Sequence, residues 1–211
     1  MRRWCAPFGA RASGSSDSPA MASPLVYVMG PSGAGKDSVL DRARAFLPAG
    51  MPVVFAHRYI TRPVEVGGEN HVALSPAEFT LRLDRGLFAF HWQAHGNSYG
   101  IGAEVHAWRR AGLTVVVSGS REQYLAMGSG DPDIHPVLIT ASPAKLIERL
   151  ARRGREDAGS AAERLQRGTA YDVQTSRLVT IVNDGPLDDA AGALVSLLAT
   201  LQYSPGVPRR A

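Results

Sequence analysis

Between residues 24 and 202 the chain alternates short, unbroken apolar runs with longer amphipathic stretches. The runs are Leu25–Met29, Val53–His57, Leu113–Val117, Val137–Thr140 and Val179–Val182. Each is continuous rather than alternating with polar residues, the pattern of a strand buried on both faces. Helical spacing follows over about 36–47, 75–85, 120–127, 142–153, 161–175 and 187–201. Two of these segments open with strong start signals. Ser75-Pro76-Ala77-Glu78 offers an N-cap, a proline in the first turn and a capping-box acid, and Ser142-Pro143 offers the first two. Strand runs that alternate with helices predict an α/β fold, a mostly parallel five-stranded sheet with helices on both faces. No internal repeat is visible. Residues 1–23 are rich in Ser, Ala, Gly and Pro without apolar periodicity and read as a disordered extension, with Met21 an alternative start. Residues 203–211 read as a flexible tail.

The chain has 211 residues, which suits one domain with a sizeable core. No stretch approaches the roughly 20 apolar residues of a spanning helix, so no membrane partner is expected. The one cysteine, Cys5, excludes a disulfide framework and a cysteine-rich metal site, and a cytoplasmic location fits. The net charge of +4 sits in the tails, on Arg2, Arg3 and Arg11 against Asp17 and on Arg209 and Arg210. The body is neutral, which argues against a broad nucleic-acid footprint. Arginines are dense between 149 and 167, but Glu148, Glu156, Asp157 and Glu163 interleave with them and largely cancel the field. No nucleic-acid partner is expected, and the composition leaves room for a homodimer.

The strongest local signal is Gly30-Pro31-Ser32-Gly33-Ala34-Gly35-Lys36-Asp37-Ser38, placed directly after one predicted strand and before a helix. This is phosphate-loop spacing. Glycines let successive backbone N–H groups turn toward phosphate oxygens, and the helix N-terminus adds partial positive charge. Lys36 adds a full charge near the β- and γ-phosphates of a nucleoside triphosphate. The segment carries no G-x-G-x-x-G spacing, which excludes a dinucleotide-binding oxidoreductase.

One position departs from the pattern. The hydroxyl residue expected after the lysine is Asp37, and the serine follows at Ser38. A carboxylate about 5 Å from a triphosphate charge is repelled by roughly 3 kcal/mol at an effective dielectric near 20. A bound Mg²⁺ reverses that sign, so Asp37, assisted by Ser38, is the expected metal site.

Together with its downstream segments, GPSGAGK resembles the guanylate kinase group of nucleoside-monophosphate kinases, over most of 24–202. The resemblance implies a three-layer P-loop kinase fold, with a small acceptor-binding region at about 58–112 and an Arg-rich lid at about 152–164. It sets Ile60-Thr61-Arg62 on the group's phosphate clamp, so that Arg62 holds an acceptor phosphate. In Gly96-Asn97-Ser98-Tyr99-Gly100 it places Tyr99 on that phosphate as well. Within Arg149–Glu156 and Arg164-Leu165 it gives lid arginines Arg153 and Arg164 to the transferring phosphoryl group, and in Val182-Asn183-Asp184 it lays Asn183 against adenine. At the positions where the group reads guanine with carboxylates stand Phe90, Ser118 and Ser120. Losing those acceptors argues against guanine, because buried donors of a base edge would go unpaired.

A tighter resemblance is to the ribose 1,5-bisphosphate phosphokinases within that group. It rests on GPSGAGKDS, Ile60-Thr61-Arg62-Pro63, Gly67–His71, His91–Gly96, Tyr99-Gly100-Ile101 and Ser118-Gly119-Ser120-Arg121. It implies transfer of a phosphoryl group from ATP, with Mg²⁺, to the anomeric phosphate of a phosphorylated sugar, giving 5-phosphoribosyl 1-diphosphate in phosphonate breakdown. A guanylate kinase-like nucleoside-monophosphate kinase is the alternative. The resemblance makes Asp37 part of this subgroup's pattern and sets Glu69 and His71 in the place of residues that face the acceptor. Arg58 and Arg121 are candidates for a second acceptor phosphate, since planar guanidinium suits bidentate anion contacts. A phosphate acceptor is already ionised, so no general base is required. His57, His71, His91 and His95 lack the spacing of a zinc site, and Phe88, Phe90 and Trp92 read as core.

Overall fold

The computed structural model describes residues 23–63, 71–127, 133–152 and 173–202. Its strands and helices follow in the order β1 (Leu25–Met29), α1 (Lys36–Phe46), β2 (Val53–Phe55), β3 (Arg58–Ile60), β4 (His71–Ala73), α2 (Pro76–Asp84), β5 (Phe88–Ala94) and β6 (Asn97–Gly102). Then come α3 (Glu104–Arg110), β7 (Thr114–Ser118), α4 (Arg121–Met127), β8 (Ile134–Thr140), α5 (Pro143–Arg152), β9 (Val179–Val182) and α6 (Leu187–Gln202).

Five strands form one sheet in the order β2-β7-β1-β8-β9, and every pairing in it is parallel. β1 lies at its centre with all five residues buried, as an unbroken apolar run requires. On one face Val26 and Val28 pack against Val39 and Ala43 of α1 and Leu194 and Leu198 of α6. On the other, Leu25, Tyr27 and Met29 pack against Val105 of α3, Tyr124 of α4 and Ile101 of β6. The expected helix-covered parallel sheet is present, its strand ends shifted by up to three residues.

A second sheet was not foreseen. β4-β3-β6-β5 has four strands, with β3–β4 parallel and the other two pairings antiparallel. β5 and β6 form a hairpin whose two-residue turn is His95 (φ 50) and Gly96 (φ 73), both left-handed as a primed turn demands. β3 and β4 span three residues each, too short for a periodicity, and β6 carries two glycines. Helix α3 was also unannounced. Of the helix expected at 161–175, residues 173–175 are not helical and the rest lies outside the described residues. Ser23, the last residue of the expected extension, is described and buried. Residues 1–22 and 203–211, Glu69 and the lid from Arg153 through Arg164 lie outside the described residues. Among the described residues no helix is long and apolar enough to cross a membrane.

Candidate active site

The loop after β1 is shaped by its glycines. Gly33 (φ 87) and Gly35 (φ 78) take left-handed conformations closed to most side chains. A Cβ on Gly30 would fall 2.1 Å from the Ile139 carbonyl oxygen, so the loop leaves the sheet against the backbone of β8. α1 starts from Gly35 with no side-chain cap on its first N–H groups. Those donors are therefore available to an anion, where a serine or aspartate cap would have taken one of them.

Lys36 Nζ donates to Ser118 Oγ at 2.9 Å and pairs with Asp37 Oδ1 at 3.2 Å. The first contact follows from the sheet, since Val28 and Ser118 are register partners on adjacent strands. Arg58, at the start of β3, reaches across from the second sheet and donates through Nη2 to Asp37 Oδ1 at 2.9 Å. Its side chain is 10% exposed. Asp37, Arg58 and Ser118 line one pocket with Asp41, Arg44 and Phe55. Ser38 is exposed in the first turn of α1.

The acceptor candidates lie along the second sheet. Thr61 is stitched to β6 twice: its N–H donates to the Ser98 carbonyl at 3.1 Å, and its Oγ1 accepts from the Ser98 N–H at 2.8 Å. That fixes the chain just ahead of Arg62. His71 is buried, its Nε2 lying 3.0 Å from the Arg62 carbonyl oxygen, a pairing in which the ring nitrogen carries the proton. Tyr99 is buried and stacks on Trp92, with ring centroids 5.4 Å apart. Arg121 is the first residue of α4 and half-buried.

At the three positions of expected base readers the side chains have other tasks. Phe90, half-buried, packs edge-on against Tyr27 at 5.8 Å, on the flank of the core. Ser118 holds Lys36. Ser120 Oγ accepts from the Gln123 N–H at 2.9 Å and caps α4. Tyr27 Oη donates to the Ser120 carbonyl at 3.1 Å, and burial pushes its hydroxyl pKa upward, so it remains a donor.

Sequence reasoning gave Arg149 no role of its own. Arg149 Nη1 donates to the Ala34 carbonyl at 3.3 Å and its Nη2 to the Asn183 carbonyl at 2.8 Å. Asn183 Nδ2 donates to the same Ala34 carbonyl at 2.8 Å, whereas the resemblance had set this side chain against adenine. Asn183 Oδ1 is buried without a partner. Asp184 accepts from the Ser142 N–H at 2.7 Å, at the start of α5.

Open N–H groups, a glycine cradle, Lys36 and the unpartnered Asn183 acceptor fit a nucleoside triphosphate. One carboxylate and one hydroxyl, Asp37 and Ser38, fit Mg²⁺, which usually keeps several waters and takes phosphate oxygens. Among the described residues no group of three or more His, Cys, Asp or Glu side chains could hold a metal.

No family model matches the chain. It is 54% identical over 176 residues to the ribose 1,5-bisphosphate phosphokinase PhnN of Desulfomicrobium baculatum, covering 83% of this chain and 94% of that one. The protein of the same name from Thiobacillus denitrificans is 47% identical over 180 residues, covering 85% and 95%. The chain belongs to the ribose 1,5-bisphosphate phosphokinase family. A longer relative from Laribacter hongkongensis, also of this family, is 51% identical over 86% of this chain and 44% of its own length. The chain shares its fold with the guanylate kinase of Anaplasma phagocytophilum, at a TM-score of 0.61 and 18% identity, with 88% of this chain and 89% of that one covered.

Proposed function

We propose that the protein is a ribose 1,5-bisphosphate phosphokinase of phosphonate breakdown. It transfers the γ-phosphoryl group of ATP to the anomeric phosphate of ribose 1,5-bisphosphate and yields 5-phosphoribosyl 1-diphosphate and ADP. A phosphate oxygen of the acceptor forms the new P–O bond as the bond to the β-phosphate breaks. The nucleophile is already ionised, so catalysis consists of alignment and charge neutralisation.

The observation that carries this reading is Arg58. A nearly buried guanidinium of the acceptor sheet ends 2.9 Å from Asp37 in the first helical turn of the phosphate loop. That position suits contact with an acceptor phosphate approaching the donor, which supports the reading. Phe90, Ser118 and Ser120 offer that approach no carboxylate for a base edge. In this reading Lys36 touches the transferring phosphoryl group, Arg62 and Arg58 hold acceptor phosphates, and Arg121, Tyr99, Glu69 and His71 complete the acceptor side. Arg153 and Arg164 neutralise charge from the lid. Asp37 and Ser38 would hold Mg²⁺, which screens the charge of the triphosphate when bound.

The test is ³¹P NMR of the reaction with MgATP and ribose 1,5-bisphosphate. A new diphosphate resonance pair appearing with ADP supports the assignment. Its absence, with ATP consumed only when a nucleoside monophosphate is the acceptor, overturns it.

A further inference from the structure

We infer that Arg149, with Asn183, is a positioning residue that aims the phosphate-loop amides by holding the Ala34 carbonyl from behind. Ala34 is fully buried, and its carbonyl oxygen accepts from Asn183 Nδ2 at 2.8 Å and from Arg149 Nη1 at 3.3 Å. In a trans peptide unit the C=O and the following N–H point in opposite directions. Two donors fixing the Ala34 oxygen on one side therefore aim the Gly35 N–H to the other side of that peptide. Gly35 is left-handed at φ 78, a conformation its own backbone does not enforce. The brace supplies what glycine leaves undecided.

The brace is itself held. Arg149 Nη2 donates to the Asn183 carbonyl at 2.8 Å, and the Asn183 N–H donates to the Thr140 carbonyl at 2.8 Å. Asn183 is 3% exposed, and a Cβ on Gly35 would lie 2.6 Å from its Nδ2. β9, α5 and the loop after β1 thus meet at one carbonyl oxygen. A cation donating to that oxygen also polarises the peptide, which strengthens the Gly35 N–H as a donor to anions.

The inference rests on the loop binding a triphosphate, part of the function proposed above, and not on the identity of the acceptor. Its test is equilibrium binding without acceptor, using MgATP and inorganic tripolyphosphate on the full chain and on Arg149→Met, Arg149→Lys and Asn183→Leu. Arg149→Met is expected to weaken both ligands by a similar factor, about tenfold to a hundredfold. Arg149→Lys should recover part of the loss. The double variant should lose less than the two single losses combined, because both side chains serve one oxygen. Thermal melting identifies any variant that fails to fold, and the lysine variant then carries the comparison. Weakened ATP binding with unchanged tripolyphosphate binding would mean that Arg149 acts on the base, and would overturn the inference. So would unchanged binding of both ligands, or losses that add independently. A chain that binds MgATP normally but does not turn over ribose 1,5-bisphosphate would refute the acceptor assignment and leave this inference standing.

Discussion

The two sheets that meet at the cleft differ in how they are held. β1 and β7 of the parallel sheet are buried at every residue, with helices on one face and helices plus the second sheet on the other. In the acceptor sheet no residue of β5 is fully buried, and β4 buries only His71. Their polar contacts differ as well. The donor loop is fixed by glycine geometry and by the Arg149 and Asn183 side chains on the Ala34 carbonyl, and Arg58 reaches it from the opposite wall at Asp37. The second sheet presents side chains, Arg58 and Arg62 among them, that hold acceptor phosphates in the proposed function. In the proposed function the phosphoryl donor sits on the more deeply buried half and specificity on the more exposed half, which separates two requirements that a single sheet would have to reconcile.

The largest expected effect is on the more deeply buried half. Lys36→Ala should lower turnover by about 10²–10³-fold, the usual loss when one donor to developing charge is removed. Steady-state kinetics with melting as a control checks this, and a loss confined to the acceptor KM would blur the division. Arg58→Met comes next. It should raise the acceptor KM by about tenfold to a hundredfold and leave ATP binding within a few-fold. Equal losses for both ligands would show that the pair with Asp37 serves the donor side instead.

How much of this was legible in the sequence follows the same division. β1, the loop and α1 could be read because an unbroken LVYVM and GPSGAGKDS each carry a local signal. The acceptor sheet could not, since β3 and β4 are three residues long and are strands only because β6 pairs with β3. Ser118 as a partner of Lys36 depends on β7 lying beside β1, a strand order that no local pattern specifies. The brace from Arg149 and Asn183 spans 115 and 149 residues and lay equally beyond local reading. Family resemblance named Arg62, Tyr99 and Asn183 and set Asn183 against the base; in the structure the Asn183 amide nitrogen donates to the Ala34 carbonyl.

Two smaller effects sharpen the comparison. Ser120→Ala removes the cap of α4 and should cost about 1 kcal/mol of stability, read by denaturant unfolding, with a modest effect on turnover. The smallest concerns His135 on β8, whose pKa is lowered by burial and then by Arg177. Its unfolded state takes up a proton near 6.5 before the folded state does. The contribution is therefore present at neutral pH and lost as pH falls below about 6.5 toward the lower folded value. Unfolding curves at pH 5 and 7 should differ less for His135→Gln than for the natural chain.

The central claim is that the acceptor wall reads phosphate and not a base. The most direct measurement is the ratio of kcat/KM for ribose 1,5-bisphosphate to that for GMP, with AMP alongside, at saturating MgATP. Turnover of the bisphosphate is expected, with both nucleotides poor acceptors. Faster turnover of GMP would contradict it, and would mean that Phe90, Ser118 and Ser120 do not exclude a base.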